Sequence, residues 1–198
     1  MVLASGNKGK LEELRTMLAP QNINVISLAH YPNMPETVED GSTFKDNAIK
    51  KAKEAAKYTG LPVLADDSGL EVDHLGGKPG VHSARFAGIP KDDTANNNKL
   101  LEQMRNVPWE QRTARFRCVI AICTPEGELH TSDGFCEGYI LEQLKGEGGF
   151  GYDPLFYVPK YDKTFAELDM NEKNKISHRG KALKGAVEIL AKMVGKEE

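Results

Sequence analysis

Over its first fifty residues the chain alternates short apolar runs with segments of helical periodicity, which is typical of an α/β protein whose sheet is covered by helices. The pattern predicts a strand over residues 1–4, a helix over 10–18 and a second strand over 23–28. A longer helix is predicted to begin at Thr43, where Asp46 completes a variant of the capping box. Its buried stripe is predicted to consist of Phe44, Ala48, Ala52 and Ala56.

The same pattern continues through the rest of the chain. It predicts a strand over 61–65, a helix over 94–104, antiparallel strands over 115–122 and 130–137 joined by a turn at 125–127, a glycine-rich loop over 146–152, and a final helix over 178–194. We expect the two antiparallel strands to form a separate lobe. We treat residues 1–198 as a single domain.

Composition narrows the class of protein. Hydrophobic residues make up 39% of the chain and charged residues 28%, with a formal net charge of −3, so a nucleic-acid binder with a basic surface is not expected. No apolar run approaches the roughly 20 residues that span a bilayer, so we expect a cytoplasmic protein without a membrane partner. The three cysteines lack C-x-x-C spacing, which favours buried, reduced thiols.

A phosphate site is predicted between the first strand and the first helix. The residues of this connection are Ser5, Gly6, Asn7, Lys8, Gly9 and Lys10. Backbone N–H groups at a helix N-terminus, together with two lysines, favour an anion. The alternative is a polar turn that only starts the helix.

Acidic residues follow the predicted strand over 61–65. Asp66 and Asp67 come directly after it, and Ser68 and Gly69 suggest a sharp exit. Because Mg²⁺ takes one or two carboxylates together with phosphate oxygens, Asp67 and Glu39 are candidate ligands. The alternative is an acidic surface turn.

Lys51 lies on the predicted long helix, where it either projects toward phosphates or belongs to a solvated basic face. Near the final helix, Lys173 and the sequence Ser177-His178-Arg179 combine a predicted helix cap with several donors. These residues are candidates for substrate contacts.

The glycine-rich loop matches G-x-G-x-x-G at residues 146–151, but an extended apolar run follows it instead of a helix, so a Rossmann site is rejected. Phe150, Tyr152 and Asp153 instead suit the binding of a flat base, with an aromatic face for stacking and a carboxylate for the edge. The alternative is an ordinary loop whose aromatic side chains pack into the core.

Five motifs together resemble the inosine triphosphate pyrophosphatase family, also called dITP/XTP pyrophosphatases. They are Ser-Gly-Asn-x-x-Lys at 5–10, Ala-Asp-Asp-Ser-Gly-Leu at 65–70, Pro-Gly-Val-His-Ser-Ala-Arg-Phe at 79–86, Gly-Phe-Gly-Tyr-Asp-Pro at 149–154 and Ser-His-Arg-Gly at 177–180. The motifs follow one another in order over nearly the entire chain. Ser5 replaces a frequent threonine and His82 a frequent tyrosine, and neither change removes a group that the chemistry requires.

The resemblance implies hydrolysis of deaminated purine nucleoside triphosphates (ITP, dITP and XTP) to the monophosphate and pyrophosphate, which cleanses the nucleotide pool. It also implies a homodimer of α/β subunits, each with an elongated central mixed sheet flanked by helices and two lobes around a cleft. Rival readings are a pyrophosphatase for modified pyrimidine nucleotides and a non-catalytic nucleotide sensor.

The resemblance also assigns roles to residues. Asp67 would be the proton acceptor for water and, with Glu39, a ligand of Mg²⁺, while Asp66 would have a supporting role. The residues expected to contact substrate are Ser5, Gly6, Asn7, Lys8, Gly9, Lys10, Lys51, Ser68, Phe150, Gly151, Tyr152, Asp153, Lys173, His178 and Arg179.

Overall fold

The computed structural model describes residues 1–21, 23 and 25–194. The strands are β1 (Val2–Ala4), β2 (Ile26–Ser27), β3 (Val63–Val72), β4 (Thr113–Cys123), β5 (Leu129–Ile140), β6 (Phe156–Val158) and β7 (Lys163–Thr164). The helices are α1 (Lys8–Leu18), α2 (Phe44–Thr59), α3 (Asp93–Gln103), α4 (Met170–Ile176) and α5 (His178–Val194). Short 3-10 turns occupy several of the connections, including Gly80–Arg85.

The strands form one seven-stranded sheet in the order β2-β1-β3-β4-β5-β6-β7. β1 is parallel to both β2 and β3, with Val2 opposite Ile26 on one side and Val63 on the other. β6 is antiparallel to β5 and β7. The sheet is therefore mixed, and the predicted α/β fold class is confirmed.

Helix α2 follows the sequence pattern closely. The Thr43 hydroxyl accepts a hydrogen bond from the Asp46 N–H at 3.1 Å, and Gly60 ends the helix in the left-handed conformation at φ +65°. The Asp46 carboxylate accepts a bond from the Thr43 hydroxyl at 2.7 Å, so the first turn closes through side chains. All four residues of the predicted stripe are buried.

Other predictions need correction. β4 and β5 are joined by the predicted turn, in which the Thr124 N–H donates to the Glu128 carbonyl, but both belong to the common sheet, so they form no separate lobe. Helix α4 was not predicted, because its short polar sequence lacks an apolar stripe. Of the strand predicted over 23–28, Ile26–Ser27 is observed and position 24 lies outside the described residues.

The chain forms two compact units. The first unit comprises Met1–Asp67, Cys118–Gly134 and Arg179–Glu198, and the second comprises Ser68–Arg117 and Phe135–His178. In the first unit, Leu3, Leu14 and Ile120 belong to a buried apolar core. In the second, Leu100 and Phe156 belong to another. Each unit therefore has an apolar core of its own.

Along the described parts of the chain, no helix combines the length and the apolarity that crossing a bilayer requires.

Candidate active site

The acidic pair lies inside β3 and not after its end. Asp66 and Asp67 are 1% and 6% exposed, and the strand continues through Ser68 and Gly69. A run of Asp, Ser and Gly is typical of a turn, but buried carboxylates remain within a strand where cations and donors compensate their charge. The predicted strand end at residue 65, with its sharp exit, is therefore wrong.

Asp66 is held in a buried network of charges within the first unit. Its Oδ2 lies 3.0 Å from the Lys10 ammonium and 3.5 Å from Nε of Arg179, whose guanidinium also pairs with Glu13. Burial opposes ionisation of Asp66, but the positive charges of Lys10, Arg179 and Lys51 outweigh it, and the pKa of the carboxyl lies well below its usual range. Asp66 is therefore a fixed negative charge that orients two cations.

Asp67 belongs to a second group, which is centred on the Lys51 ammonium. This ammonium donates to Glu39 Oε1 at 2.7 Å, to Asp67 Oδ1 at 3.3 Å and to the Asp66 carbonyl at 2.6 Å. The other Asp67 oxygen accepts a hydrogen bond of 3.2 Å from the side-chain amide of Asn47. Lys51 therefore does not belong to a solvated basic face of α2.

The electrostatics of Asp67 differ from those of Asp66. Burial raises the pKa of Asp67, with Glu39 and Asp66 acting in the same direction, and Lys51 and Lys10 offset only part of this effect. Burial alone would lower the pKa of Lys51, but the neighbouring carboxylates reverse the shift and raise it. Of the two adjacent aspartates, Asp67 is thus the one better able to take up a proton.

Glu39 and Asp67 are the two carboxylates that could hold a metal ion. Their carboxylates lie within hydrogen-bonding reach of one ammonium group, so two hard oxygen ligands already converge. Among the described residues no group of three acidic, histidine or cysteine side chains forms a fuller metal cage. Two carboxylates are ligands of the kind that Mg²⁺ takes together with phosphate oxygens.

The predicted phosphate loop leads directly into α1. Asn7 caps the helix by accepting the Lys10 N–H at 3.2 Å, and the Ser5 hydroxyl accepts the Asn7 N–H at 3.3 Å. Gly6 and Lys8 are exposed, and the first turn of α1 contains no acidic residue. These features leave the positive end of the helix suited to an anion.

In the second unit, the glycine loop places an aromatic ring beside a buried ion pair. The Lys173 ammonium lies 2.6 Å from Asp153 Oδ2 and 5.0 Å from the centre of the Phe150 ring. The same carboxylate oxygen accepts the Phe150 N–H at 2.9 Å. Residue 149 must be glycine for this arrangement. Its φ is +72°, and a Cβ atom there would clash with this carboxylate oxygen at 2.1 Å.

Tyr152 is committed to the core of the second unit. It is 4% exposed, and its hydroxyl donates to the Ser83 carbonyl at 2.8 Å. The structure therefore gives this aromatic residue a packing role, which is the alternative that the sequence left open for the loop. Phe150, by contrast, is only partly buried.

His178 completes an aromatic layer in the second unit. Its ring stacks on Phe116 at 4.7 Å between ring centres and 11° between planes, and it lies 6.3 Å from Phe165. Ser177 immediately precedes the first residue of α5, as the predicted cap requires. His178 is 3% exposed, so the neighbouring rings fix its orientation.

The structure brings the predicted residues together in three groups, one of which is the network of Asp66 with Lys10 and Arg179 described above. In the first unit, Lys51 contacts Glu39 and Asp67, and in the second, Lys173 contacts Asp153 and lies over Phe150. Gly9 lies in the first turn of α1, and Gly151 follows Phe150 in the glycine loop. Ser68 is half-buried on β3, directly after Asp67.

Sequence reasoning missed two buried polar residues of the first unit. Asn47 is 1% exposed. Its side-chain amide donates to Asp67, and its side-chain oxygen accepts the backbone N–H of Gly41 at 2.8 Å. Glu13, 3% exposed, is the partner of Arg179. Asn47 could have been found, because it is a polar residue directly beside the apolar stripe of α2. Glu13 could not, because nothing in the sequence indicates that it is buried while its neighbour Glu12 is exposed.

Known proteins resemble this chain over nearly its full length. Residues 1–189 match the model of the Ham1 family. A dITP/XTP pyrophosphatase from Desulforamulus reducens is 65% identical over 193 residues, which cover 98% of this chain and 96% of the relative. One from Bacillus subtilis is 51% identical over 189 residues, 96% of each chain.

Solved structures agree with the sequence matches. The Ham1 protein of Staphylococcus aureus has a TM-score of 0.86 at 43% identity and covers 97% of this chain and 98% of its own. A HAM1 protein from Coxiella burnetii has a TM-score of 0.87 at 44% identity, with coverage of 96% and 98%. These likenesses confirm the family predicted from the five sequence motifs: the chain belongs to the Ham1 family.

Proposed function

We propose that this chain hydrolyses deaminated purine nucleoside triphosphates (ITP, dITP and XTP) to the monophosphate and pyrophosphate. Relatives that are 50–65% identical are named dITP/XTP pyrophosphatases, which identifies the chain as a nucleoside-triphosphate pyrophosphatase. The structural observation that carries the proposal is the convergence of Glu39 and Asp67 on the Lys51 ammonium. It unites metal ligands, a proton acceptor and a phosphate-binding cation.

Residues of the first unit would bind the triphosphate. The exposed backbone of the Ser5–Lys10 segment and the helix dipole of α1 attract phosphate oxygens. Lys8, Lys10 and Lys51 would neutralise charge on the departing pyrophosphate. Glu39 and Asp67 would hold Mg²⁺, which when bound supplies Lewis-acid stabilisation of phosphate oxygens.

Asp67 is proposed to accept the proton of the water that attacks the α-phosphorus. The Asn47 amide holds one of its oxygens, so the carboxylate that takes up the proton has a fixed position. Asp66 cannot share this task as easily, because Lys10 and Arg179 stabilise its ionised form. The retention of both Glu39 and Asp67 argues against a non-catalytic nucleotide sensor.

Residues of the second unit would bind the base. Phe150 offers a stacking face, while Lys173 and backbone amides are candidate donors to the C6 keto group that distinguishes hypoxanthine from adenine. A site built around such donors rejects an amine because it leaves polar groups unpaired, and discrimination of this kind reaches about 10⁴–10⁵. A base-binding loop of this kind favours purine over modified pyrimidine substrates.

Three predicted contacts take a different role in this proposal. Arg179 is 1% exposed and pairs with Glu13 and Asp66, so we assign it to positioning Asp66 and not to a contact with the base. Asp153 pairs with Lys173, so we assign it to orienting that lysine and the loop. Tyr152 supports the loop from the core.

The proposal also includes a homodimer that works in the cytoplasm and removes deaminated nucleotides from the precursor pool. Light scattering on the purified protein would give twice the monomer mass of 21.8 kDa. A monomer at micromolar concentration would rule out the dimer without affecting the reaction.

A competitive product assay tests the function. ITP, XTP, dITP, GTP and ATP are supplied together with Mg²⁺, and nucleotides and phosphates are quantified by ion-exchange chromatography. We expect IMP, XMP, dIMP and pyrophosphate, much slower consumption of ATP, and no reaction after chelation with EDTA. IDP and orthophosphate as products would refute the pyrophosphatase reaction, and equal consumption of ATP would refute the specificity for keto bases.

A further inference from the structure

Helix α3 holds the backbone of Gly151 at two points. The Gly151 N–H donates to Asp93 Oδ2 at 2.9 Å, and its carbonyl accepts from the Asn97 amide at 2.8 Å. Asp93 and Asn97 are four residues apart and therefore lie on one face of α3. With φ at +61°, Gly151 is in the left-handed region, and the two bonds hold both polar groups of this residue.

These bonds act on the residue that precedes Gly151 in the chain. The Phe150 N–H is fixed by Asp153, and the Phe150 ring lies under the Lys173 ammonium. The peptide group that follows Phe150 contributes the N–H that Asp93 accepts. The Phe150 backbone is therefore held by Asp153 on one side and by α3 on the other, which restricts where its ring can lie.

We infer that Asp93 and Asn97 are positioning residues for base recognition, which act on Phe150 through Gly151. The inference rests on the proposed function, in which Phe150 stacks on the base. A ring that is already held in its binding position binds the base more tightly, because less conformational entropy is lost on binding. Loss of either hydrogen bond to Gly151 should therefore weaken binding of the base and leave binding of the phosphates unchanged.

The adjacent residue Asn96 provides a matched control. It is also buried on α3, at 3% exposure against 6% for Asn97, and it also bonds a loop backbone. Its side chain accepts the Ala87 N–H at 2.7 Å and donates to the Ala84 carbonyl at 3.1 Å, so it anchors a different segment. Among the described residues, the only hydrogen bond of the Asn97 side chain is the one to Gly151.

The test compares Asn97→Ala, Asn97→Asp, Asp93→Ala and Asp93→Asn with Asn96→Ala and wild type. Asn97→Asp keeps the shape but loses the donor, whereas Asp93→Asn keeps an oxygen that can accept the Gly151 N–H. For each protein we measure KM and kcat with ITP, dissociation constants for IMP and for pyrophosphate by calorimetry, and the melting temperature.

Loss of one such hydrogen bond should raise KM for ITP and Kd for IMP by roughly three- to tenfold. This increase is expected for both alanine variants and for Asn97→Asp, with kcat within about twofold and pyrophosphate affinity unchanged. Asp93→Asn should approach wild type. Asn96→Ala should lower the melting temperature without raising Kd for IMP.

The inference is overturned if IMP affinity is unchanged in Asn97→Ala and Asp93→Ala, or if Asn96→Ala weakens it equally. If Asn97→Ala does not fold, the contrast between Asp93→Ala and Asp93→Asn decides the question. Failure of the proposed function is distinguishable, because wild-type protein would then release no pyrophosphate from ITP. If wild type also fails to bind IMP, the inference falls with it.

Discussion

Replacement of Asn47 by alanine is expected to disable the site without unfolding the protein. The side chain makes two hydrogen bonds, a buried one to Asp67 and a partly buried one with the backbone N–H of Gly41. Gly41 follows Glu39 by two residues, so a single amide sets the position of both predicted metal ligands. Space is tight here, since a side chain at Gly41 would lie 2.6 Å from the Asn47 oxygen.

The magnitude follows from the charged partner of the amide. A hydrogen bond to an ionised group contributes about 1.5–3 kcal/mol. If that stabilisation is fully expressed in the transition state, kcat/KM for ITP falls by roughly 10- to 150-fold. Asn47→Asp should lower kcat/KM further, because it keeps the acceptor for the Gly41 N–H but places a negative charge next to Asp67.

The assay is steady-state pyrophosphate release from ITP, together with thermal unfolding of each variant. Lys50→Ala serves as a control on the same helix, because it removes only an exposed ion pair with Asp40, and such pairs contribute little. The control should retain wild-type kcat/KM. A folded Asn47→Ala variant whose kcat/KM stays within twofold of wild type would refute this role of Asn47.

Three further predictions concern catalysis, base binding and the thiols. Asp67→Asn should abolish turnover yet retain most ITP binding in calorimetry, because it removes the proton acceptor and only part of the metal site; wild-type activity would disprove its role. Phe150→Ala should raise KM for ITP by roughly 5- to 150-fold, since stacking contributes about 1–3 kcal/mol per base, and inhibition by pyrophosphate should stay unchanged. Cys118, Cys123 and Cys136 are buried, and burial raises the pKa of Cys118 to about 12. Iodoacetamide at pH 8 should therefore alkylate none of the three in the native protein and all three after denaturation, as measured by mass spectrometry.

Local sequence signals account for much of the fold. Helix α2 could be predicted because its cap at Thr43, its stop at Gly60 and its apolar stripe all lie within one segment. The end of β3 could not, because the sequence Asp-Asp-Ser-Gly by itself favours a turn. Its extended course depends on charge compensation by residues distant in the chain, such as Lys10 and Arg179.

The candidate site shows the same limit. The sequence identifies Asp67 and Glu39 as candidates by residue type, but their shared contact with Lys51 exists only in the folded first unit. Asn47 and Asn97 are ordinary helix residues in the sequence. Their functions depend on which backbone or carboxylate they meet, and that is a property of tertiary packing.

Attack of water on the α-phosphorus of the nucleotide is the central step of the proposed mechanism. Hydrolysis of ITP in water enriched in ¹⁸O, followed by mass spectrometry of both products, tests it most directly. We expect one ¹⁸O atom in the phosphate of IMP and none in pyrophosphate. Label in pyrophosphate with unlabelled IMP would place the attack on the β-phosphorus and contradict the proposed mechanism.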